Sequence, residues 1–163
     1  MRTAIDSSVL LCILRHQPGW ESWCATLSRA AEEGSLILCP VVFAECSIGF
    51  SSAAEALARF DFLCIAYDPI TPAAAHLAGQ TFLRYRREGG PRQQLLPDFL
   101  IAAHASVQAD RLAAIDRGYL RTYFPALALL APSAETLIPP TRSTAAERGR
   151  SSSGNEAGPE STS

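Results

Sequence analysis

The sequence predicts an α/β fold in which helices cover both faces of a mainly parallel sheet of about five strands. Short apolar runs alternate with longer segments in which apolar residues recur at helical spacing. Helical crossovers of this kind join parallel strands. The chain has 163 residues, of which 48% are hydrophobic and 18% are charged, so it can form one domain with a buried core.

The first half of the chain alternates strand and helix signals. After Ser7 the apolar residues follow helical spacing until Pro18-Gly19 interrupts them. Gly34 is expected at the C-cap of the second helix. Pro40 is expected in the first turn of the third, where its missing N–H costs nothing. In order, the predicted elements are a strand at 2–5, helices at 7–16 and 20–33, a strand at 36–39, and helices at 40–48 and 52–61.

The second half repeats the alternation and then changes character. Thr71 and Pro72 are residue types favoured at the N-cap and the first position of a helix. The predicted elements are a strand at 62–67, a helix at 72–87, a loop at 88–91, a helix at 97–109, and strands at 112–115 and 127–130. From Thr141 onward the chain has no Leu, Ile, Val or aromatic residue, which predicts disorder. We therefore expect one domain over 1–132 and a C-terminal extension over 133–163, disordered from about 141.

Composition excludes several classes of function. The formal net charge is −2, and all 14 basic residues are arginine. Without lysine, the chain has no P-loop lysine, no Schiff-base lysine and no receiver-domain lysine. The five cysteines are odd in number and form no CxxC pair, which favours buried thiols in a reducing compartment over disulfides or a zinc site. With no secretion signal and no membrane-spanning run, we expect a cytoplasmic protein that does not enter a membrane.

Four acidic residues are predicted to converge at one edge of the sheet. Asp6 follows the first strand and Asp116 ends the fourth, and parallel strands share their carboxyl-terminal edge. Glu45 lies in the helix after the second strand, and Asp98 in the first turn of the helix that leads into the fourth. Ionised carboxylates at such range raise one another's pKa unless a cation is present. Mg²⁺ and Mn²⁺ prefer oxygen ligands, so a divalent metal site is predicted.

Each acid taken alone has an ordinary structural explanation. An Asp after a strand is more often a turn or N-cap residue than a ligand. Asp98 could be only a favourable charge at a helix N-terminus. Glu45 is less easily explained, because its apolar neighbours offer few partners and a carboxylate there needs a cation or a hydrogen-bond network.

Four segments together resemble the motifs of the PIN-domain family, and of its VapC-type toxins in particular. Asp6-Ser7-Ser8-Val9-Leu10 resembles the opening motif, and Val42-Phe43-Ala44-Glu45 the second. Leu96 to Ala105 is very similar to the third motif and is the most specific signal. Leu112 to Tyr119 resembles the fourth, and a familiar Tyr123-Phe124-Pro125 segment follows it. The resemblance covers about residues 2–130.

The resemblance implies a three-layer α/β/α sandwich and metal-dependent endoribonuclease activity, as the toxin of a type II toxin–antitoxin system. It implies that Asp6, Glu45, Asp98 and Asp116 are the catalytic acids. Of these, Asp6, Asp98 and Asp116 would bind one or two Mg²⁺ or Mn²⁺ ions, while Glu45 would bind metal or orient the attacking water. It also implies an RNA substrate cut to 5′-phosphate and 3′-hydroxyl ends, a cognate antitoxin and a homodimer.

Residues around the acids have secondary predicted roles. Ser7 and Ser8 are expected to support Asp6, although Ser8 replaces an Asn common in the family, and Ala114 replaces a common Thr or Ser. We expect arginines to contact phosphate, although those near the end of a helix could equally be solvated residues that favour the helix dipole. The arginines assigned to RNA contact are Arg117, Arg121, Arg87 and Arg92.

Other functions fit the sequence less well. A haloacid-dehalogenase-type phosphatase needs a second Asp where Ser8 stands, and it also uses a lysine. A serine hydrolase needs a G-x-S-x-G turn, which is absent. Two alternatives stay open: a related structure-specific DNA nuclease, and a PIN-like protein-binding module with weak or no activity.

Overall fold

The computed structural model of the chain describes residues 1–90, 96–115 and 118–133. The strands in these ranges are β1 (Arg2–Ile5), β2 (Ser35–Leu38), β3 (Ile65–Tyr67), β4 (Arg111–Ala113) and β5 (Leu129–Leu130). The helices are α1 (Ser7–Leu14), α2 (Trp20–Glu33), α3 (Pro40–Cys46), α4 (Ala53–Phe62), α5 (Pro72–Arg87), α6 (Leu96–Gln108) and α7 (Tyr119–Tyr123). A short 3-10 helix, Ser47–Gly49, follows α3.

The five strands form one parallel sheet in the order β3-β2-β1-β4-β5. Thr3 in the central strand lies between Leu36 of β2 and Arg111 of β4. The chain first adds strands on one side of β1 and then adds β4 on the other. Open α/β sheets bind ligands at such a reversal, outside the carboxyl ends of the strands. The predicted α/β sandwich on a parallel sheet of five strands is confirmed.

The helices bury the sheet and fix its orientation. α2 packs on β2, and α6 packs on β1 and β4, while α1 contacts both α2 and α3. The fully buried side chains include apolar residues from strands and helices alike: Val9, Leu38, Val42, Phe99 and Leu112. Two buried strand faces require continuous apolar runs rather than alternation, which is the pattern of Leu36-Ile37-Leu38.

The predicted strand at 62–67 is wrong in its first half. α4 continues to Phe62, and the N–H of Leu63 donates to the carbonyls of Arg59 and Phe60 at 3.2 and 3.0 Å. Cys64 then adopts a left-handed conformation with φ 57° before β3 begins at Ile65. A short apolar run does not distinguish a helix end from a strand, and here the helix end prevails.

Other boundaries differ by smaller amounts. β2 and β4 begin one residue earlier than predicted and end one and two residues earlier, respectively. The third helix ends at Cys46 rather than residue 48, where the 3-10 helix takes over. α7 was not predicted. The boundary at 132/133 and disorder from about 141 stay predictions, since residues 134–163 lie outside the described residues.

Gly34 occupies the C-cap of α2 as predicted, but for a different physical reason. Its backbone is extended (φ 163°), not left-handed. The N-terminal backbone passes directly over it: Met1 N donates to Glu33 O at 3.1 Å, and Ser35 N donates to Met1 O at 3.0 Å. A Cβ on Gly34 would overlap the Met1 backbone, so close approach requires the glycine.

No single helix in the described ranges is long and apolar enough to cross a bilayer, although Pro40–Gly49 and Ala53–Phe62, bent by 104°, reach that length and composition as a pair.

Candidate metal centre

Asp6 lies at the carboxyl end of the central strand and also begins α1. Its Oδ1 accepts hydrogen bonds from Ser8 N and Ser7 Oγ, both at 3.2 Å, so its side chain caps the helix. Its backbone N–H donates to Ala113 O at 2.9 Å, which holds it beside β4. The side chain is 8% exposed. No described residue donates a hydrogen bond to Oδ2, so one carboxylate oxygen is left for another partner.

Glu45 lies near the end of α3, the helix that begins immediately after β2 at Pro40. It is half-buried and makes no hydrogen bond or ion pair with any described residue. A carboxylate in this position is costly unless a cation or water compensates it. The sequence-based expectation that Glu45 lacks protein partners therefore agrees with the structure.

Asp6 and Glu45 both lie within electrostatic range of the Cys46 thiol. The pKa of this thiol is raised to about 12, chiefly by burial and to a smaller extent by the negative charges of Glu45 and Asp6. Arg15, at the end of α1, acts in the opposite direction. Electrostatic effects of this kind fall off with distance, so both carboxylates lie near the same buried sulfur.

Asp98 is placed by the direction of α6. At the far end of this helix, Asp110 N donates to Arg2 O at 2.9 Å, and Arg2 N donates to Asp110 Oδ2 at 2.6 Å. The C-terminal end of α6 thus lies at the start of β1, and its first turn lies toward the carboxyl edge of the sheet. α6 also packs against α3. Asp98 is half-buried in that first turn.

Asp116 and Arg117 lie outside the described residues, as does Arg92. The described chain reaches Ile115, whose N–H donates to Ser8 Oγ at 3.4 Å. The segment after β4 therefore lies beside the start of α1, where its contact residue, Ser8, is two residues after Asp6 in the sequence. Ala114, which stands where relatives were expected to carry a hydroxyl, is buried.

The predicted ligand set of Asp6, Asp98 and Asp116 stays a prediction. Within residues 1–90, 96–115 and 118–133, no three His, Cys, Asp or Glu residues are grouped closely enough to hold a metal ion. The donors are nevertheless the right chemical kind, because carboxylate oxygens suit Mg²⁺ and Mn²⁺. Asp6 Oδ2 and the carboxylate of Glu45, without hydrogen-bond partners in the described structure, fit a cation.

The arginines divide into two groups. Arg87 is exposed at the end of α5, and Arg121 is exposed on α7, so both stay candidates for phosphate contact. Arg84 and Arg86 bind backbone carbonyls: Arg84 Nη2 donates to Tyr123 O at 3.2 Å, and Arg86 Nη1 donates to Gly90 O at 2.8 Å. Arg15 was missed by the sequence analysis. It is an exposed cation at the C-terminal end of the helix that Asp6 begins.

A second polar cluster joins α6 to the segment after β3. His104 is buried, and its Nε2 is 2.8 Å from Asp68 Oδ2. Asp68 also accepts hydrogen bonds from Arg2 at 3.0 Å and Gln108 at 2.8 Å. Burial lowers the pKa of His104, although the hydrogen bond to Asp68 opposes the shift. This cluster ties the segment after β3 to α6.

Comparisons with known proteins identify the family. No curated protein matches this chain. Among solved structures, VapBC2 from Rickettsia felis bound to a promoter DNA fragment is 17% identical with a TM-score of 0.61, covering 79% of this chain and 97% of that one. VapBC-1 from nontypeable Haemophilus influenzae is 15% identical, with a TM-score of 0.58 and coverages of 79% and 96%. FitAcB from Neisseria gonorrhoeae is 22% identical, with a TM-score of 0.55 and coverages of 80% and 97%.

These identities support a shared fold, and the family itself is shown by a direct match to the PIN domain over residues 3–125. The matched segment begins in β1, ends after α7 and includes all four predicted acids. The chain belongs to the PIN-domain family.

Proposed function

We propose that this chain is a divalent-metal-dependent endoribonuclease that acts as the toxin of a toxin–antitoxin pair. The observation that carries the proposal is the position of Asp6 at the carboxyl end of β1, where no described residue donates a hydrogen bond to Oδ2 and where α1 packs against α3, the helix of Glu45. The start of α6 with Asp98 lies toward the same edge, and Asp116 directly follows Ile115, which is bonded to Ser8. Four acids converging there would need a cation.

Asp6, Asp98 and Asp116 would hold the metal, which when bound lowers the pKa of a water and stabilises the leaving oxygen of the phosphodiester. The chain itself orients the acids. Ser7 and Ser8 fix one oxygen of Asp6, so the other keeps a constant direction. Glu45, half-buried and without a partner among the described residues, would bind metal or accept a hydrogen bond from the attacking water.

Phosphate contact would come from cations around this edge. Arg15 is exposed at the end of α1, the helix that packs against α3 and Glu45, and its charge acts on the Cys46 thiol. Arg121, on the helix after Asp116, and Arg87 are the other described candidates, and Arg92 and Arg117 remain assigned by sequence. Because the folded domain is not basic, RNA binding would depend on these few arginines together with the metal.

An antitoxin partner and a homodimer also belong to the proposal. Two of the similar structures are VapBC proteins, and the motifs of this chain resemble VapC-type toxins. Exposed apolar side chains that a partner could cover are Ile48 in the 3-10 helix, 83% exposed, and Phe62 at the end of α4, 78% exposed. A cytoplasmic location is part of the same expectation.

The test is cleavage of a mixed-sequence RNA by purified protein in Mg²⁺, in Mn²⁺ and in EDTA, with single-stranded DNA of the same sequence alongside. We expect RNA cleavage only with metal, reduced at least about 100-fold by Asp98→Asn. Asp61→Asn, an exposed acid of α4, is the matched control and should cleave normally.

Each alternative gives a different result in this test. Cleavage of DNA in preference to RNA would favour the DNA nuclease. Cleavage of neither, at any metal concentration, would favour a binding module. Growth arrest on expression, relieved by the neighbouring gene, would separate a toxin from a housekeeping nuclease.

A further inference from the structure

The ends of α5, α6 and α7 meet in an aromatic cluster beside Asp98. Phe99, the residue after Asp98, is completely buried. Its ring contacts those of Tyr85 and Tyr123, with centroids at 5.5 and 5.6 Å. The first turn of α6 is therefore held through Phe99 by a side chain of α5 and a side chain of α7.

Polar contacts at the surface close this cluster. The hydroxyl of Tyr123 donates to Glu88 Oε2 at 2.8 Å. Arg84 lies over the Tyr123 ring, with its guanidinium carbon 5.1 Å from the centroid, and donates to the Tyr123 carbonyl. Arg84 and Glu88 are one helical turn apart at the end of α5. Arg84 therefore contacts the ring of Tyr123 while Glu88 accepts a hydrogen bond from its hydroxyl.

We propose that Arg84, Glu88 and Tyr123, here called the clamp, position Asp98 for metal binding. The proposal rests on the proposed function, because it assumes that Asp98 is a ligand. The clamp joins the end of α5 to the end of α7. Tyr85 and Tyr123, which lie on these two helix ends, both pack on Phe99, the residue next to Asp98. Mg²⁺ requires nearly ideal octahedral geometry, so a small displacement of one carboxylate weakens binding.

The clamp differs from the core that it covers. Arg84 and Glu88 are exposed and Tyr123 is half-buried, whereas Phe99 is fully buried. Removing the Tyr123 hydroxyl leaves the ring contacts intact and takes away one surface hydrogen bond. Loss of this hydrogen bond should therefore weaken metal binding while leaving the stability of the fold nearly unchanged.

The test is Mn²⁺ affinity of the full chain, measured by the electron paramagnetic resonance signal of free Mn²⁺, for Tyr123→Phe and wild type. We expect about 5-fold weaker binding, below the 10–100-fold effect of partners that touch a ligand directly. The melting temperature without metal should change by no more than about 4 °C. Cleavage by the variant should return to the wild-type rate at saturating Mn²⁺.

Two further variants make the test specific. Tyr67→Phe is the control, because it also removes one tyrosine hydroxyl but lies on β3, outside the clamp, where Tyr67 is 44% exposed. This variant should leave Mn²⁺ affinity unchanged. Glu88→Gln keeps an acceptor for the Tyr123 hydroxyl and should bind Mn²⁺ more tightly than Glu88→Ala.

The proposal is overturned if Tyr123→Phe binds Mn²⁺ as wild type does, if saturating Mn²⁺ fails to restore its rate, or if wild type binds no Mn²⁺. If wild type binds Mn²⁺ and the variant binds it weakly, yet no RNA is cleaved, the clamp stands and the nuclease proposal fails.

Discussion

Asp6→Asn separates the two roles that Asp6 has in this account. Oδ1 caps α1 through Ser7 and Ser8, while Oδ2 is proposed to bind metal. Asparagine caps a helix about as well as aspartate, so the cap survives the substitution. The variant also removes one negative charge near Glu45. Without metal, we therefore expect Asp6→Asn to be as stable as wild type or slightly more stable.

Metal should raise the melting temperature of wild type much more than that of Asp6→Asn. At 100 times the dissociation constant, a ligand that binds only the folded state adds about 2.7 kcal/mol to the free energy of unfolding. For a domain of this size that corresponds to a rise of about 8–10 °C in melting temperature. Asp6→Asn should lose nearly all of this rise. Asp6→Ala should lose it too, and should also melt about 3–4 °C lower without metal, because the cap is worth about 1 kcal/mol.

The assay is thermal unfolding followed by circular dichroism in EDTA, Mg²⁺ and Mn²⁺. The reasoning would be refuted if neither Mg²⁺ nor Mn²⁺ changed the melting temperature of the wild-type protein. It would also be refuted if Asp6→Asn kept the full rise, since the carboxylate would then play no part in binding.

The remaining predictions concern charge and burial. Arg15→Gln should lower RNA cleavage about 10-fold through KM rather than kcat, because a cation near Glu45 is lost while the acids remain; steady-state kinetics at fixed Mn²⁺ measures this. Glu45→Gln should lower kcat while the stability without metal holds or rises, as single-turnover cleavage and thermal melts would show. His104 is neutral in the fold at a pH where the unfolded chain is already protonated, since burial lowers its pKa from 6.5. Its contribution to stability is therefore complete above pH 6.5 and is lost as the pH falls from there through the folded-state pKa, which urea titrations between pH 5 and 8 would detect.

Matched comparisons limit these three predictions. Arg59→Gln, on the exposed face of α4, should leave KM unchanged, and an equal effect there would remove any special role for Arg15. Unchanged kcat in Glu45→Gln would exclude it from the reaction. In His104→Gln, the free energy of unfolding should fall less steeply as the pH is lowered. His76 is exposed on α5, so His76→Gln should show the same fall as wild type. A fall that stays as steep in His104→Gln would assign it to other groups.

Much of the fold was predictable because the chain's local signals agree with one another. β1, α2 and α5 have the predicted bounds, since each begins or ends at a residue type with a clear structural preference, such as Thr71 at the N-cap of α5. Thr71 Oγ1 accepts a hydrogen bond from Ala74 N at 3.3 Å, as that preference implies. The start of β3 was mispredicted because Phe62 and Leu63 are apolar in either structure.

The positions of Asp6 and Asp98 in the fold could be predicted from the sequence, whereas the residues around them could not, and metal binding by these acids stays a prediction. Asp6 and Asp98 follow from strand and helix ends, which are local features. The nearness of Arg15 to Cys46 depends on how α1 packs against α3, and no local pattern encodes that. The clamp is similar: Glu88 and Tyr123 are far apart in sequence, and α7 has only five residues, too few for periodicity to show.

The central claim, that Asp6, Asp98 and Asp116 bind the same metal beside Glu45, is tested most directly by anomalous diffraction from crystals containing Mn²⁺. The account predicts a peak in direct coordination with Asp6 Oδ2 and with the carboxylates of Asp98 and Asp116. No peak at saturating Mn²⁺, or a peak bound elsewhere on the protein, would contradict it.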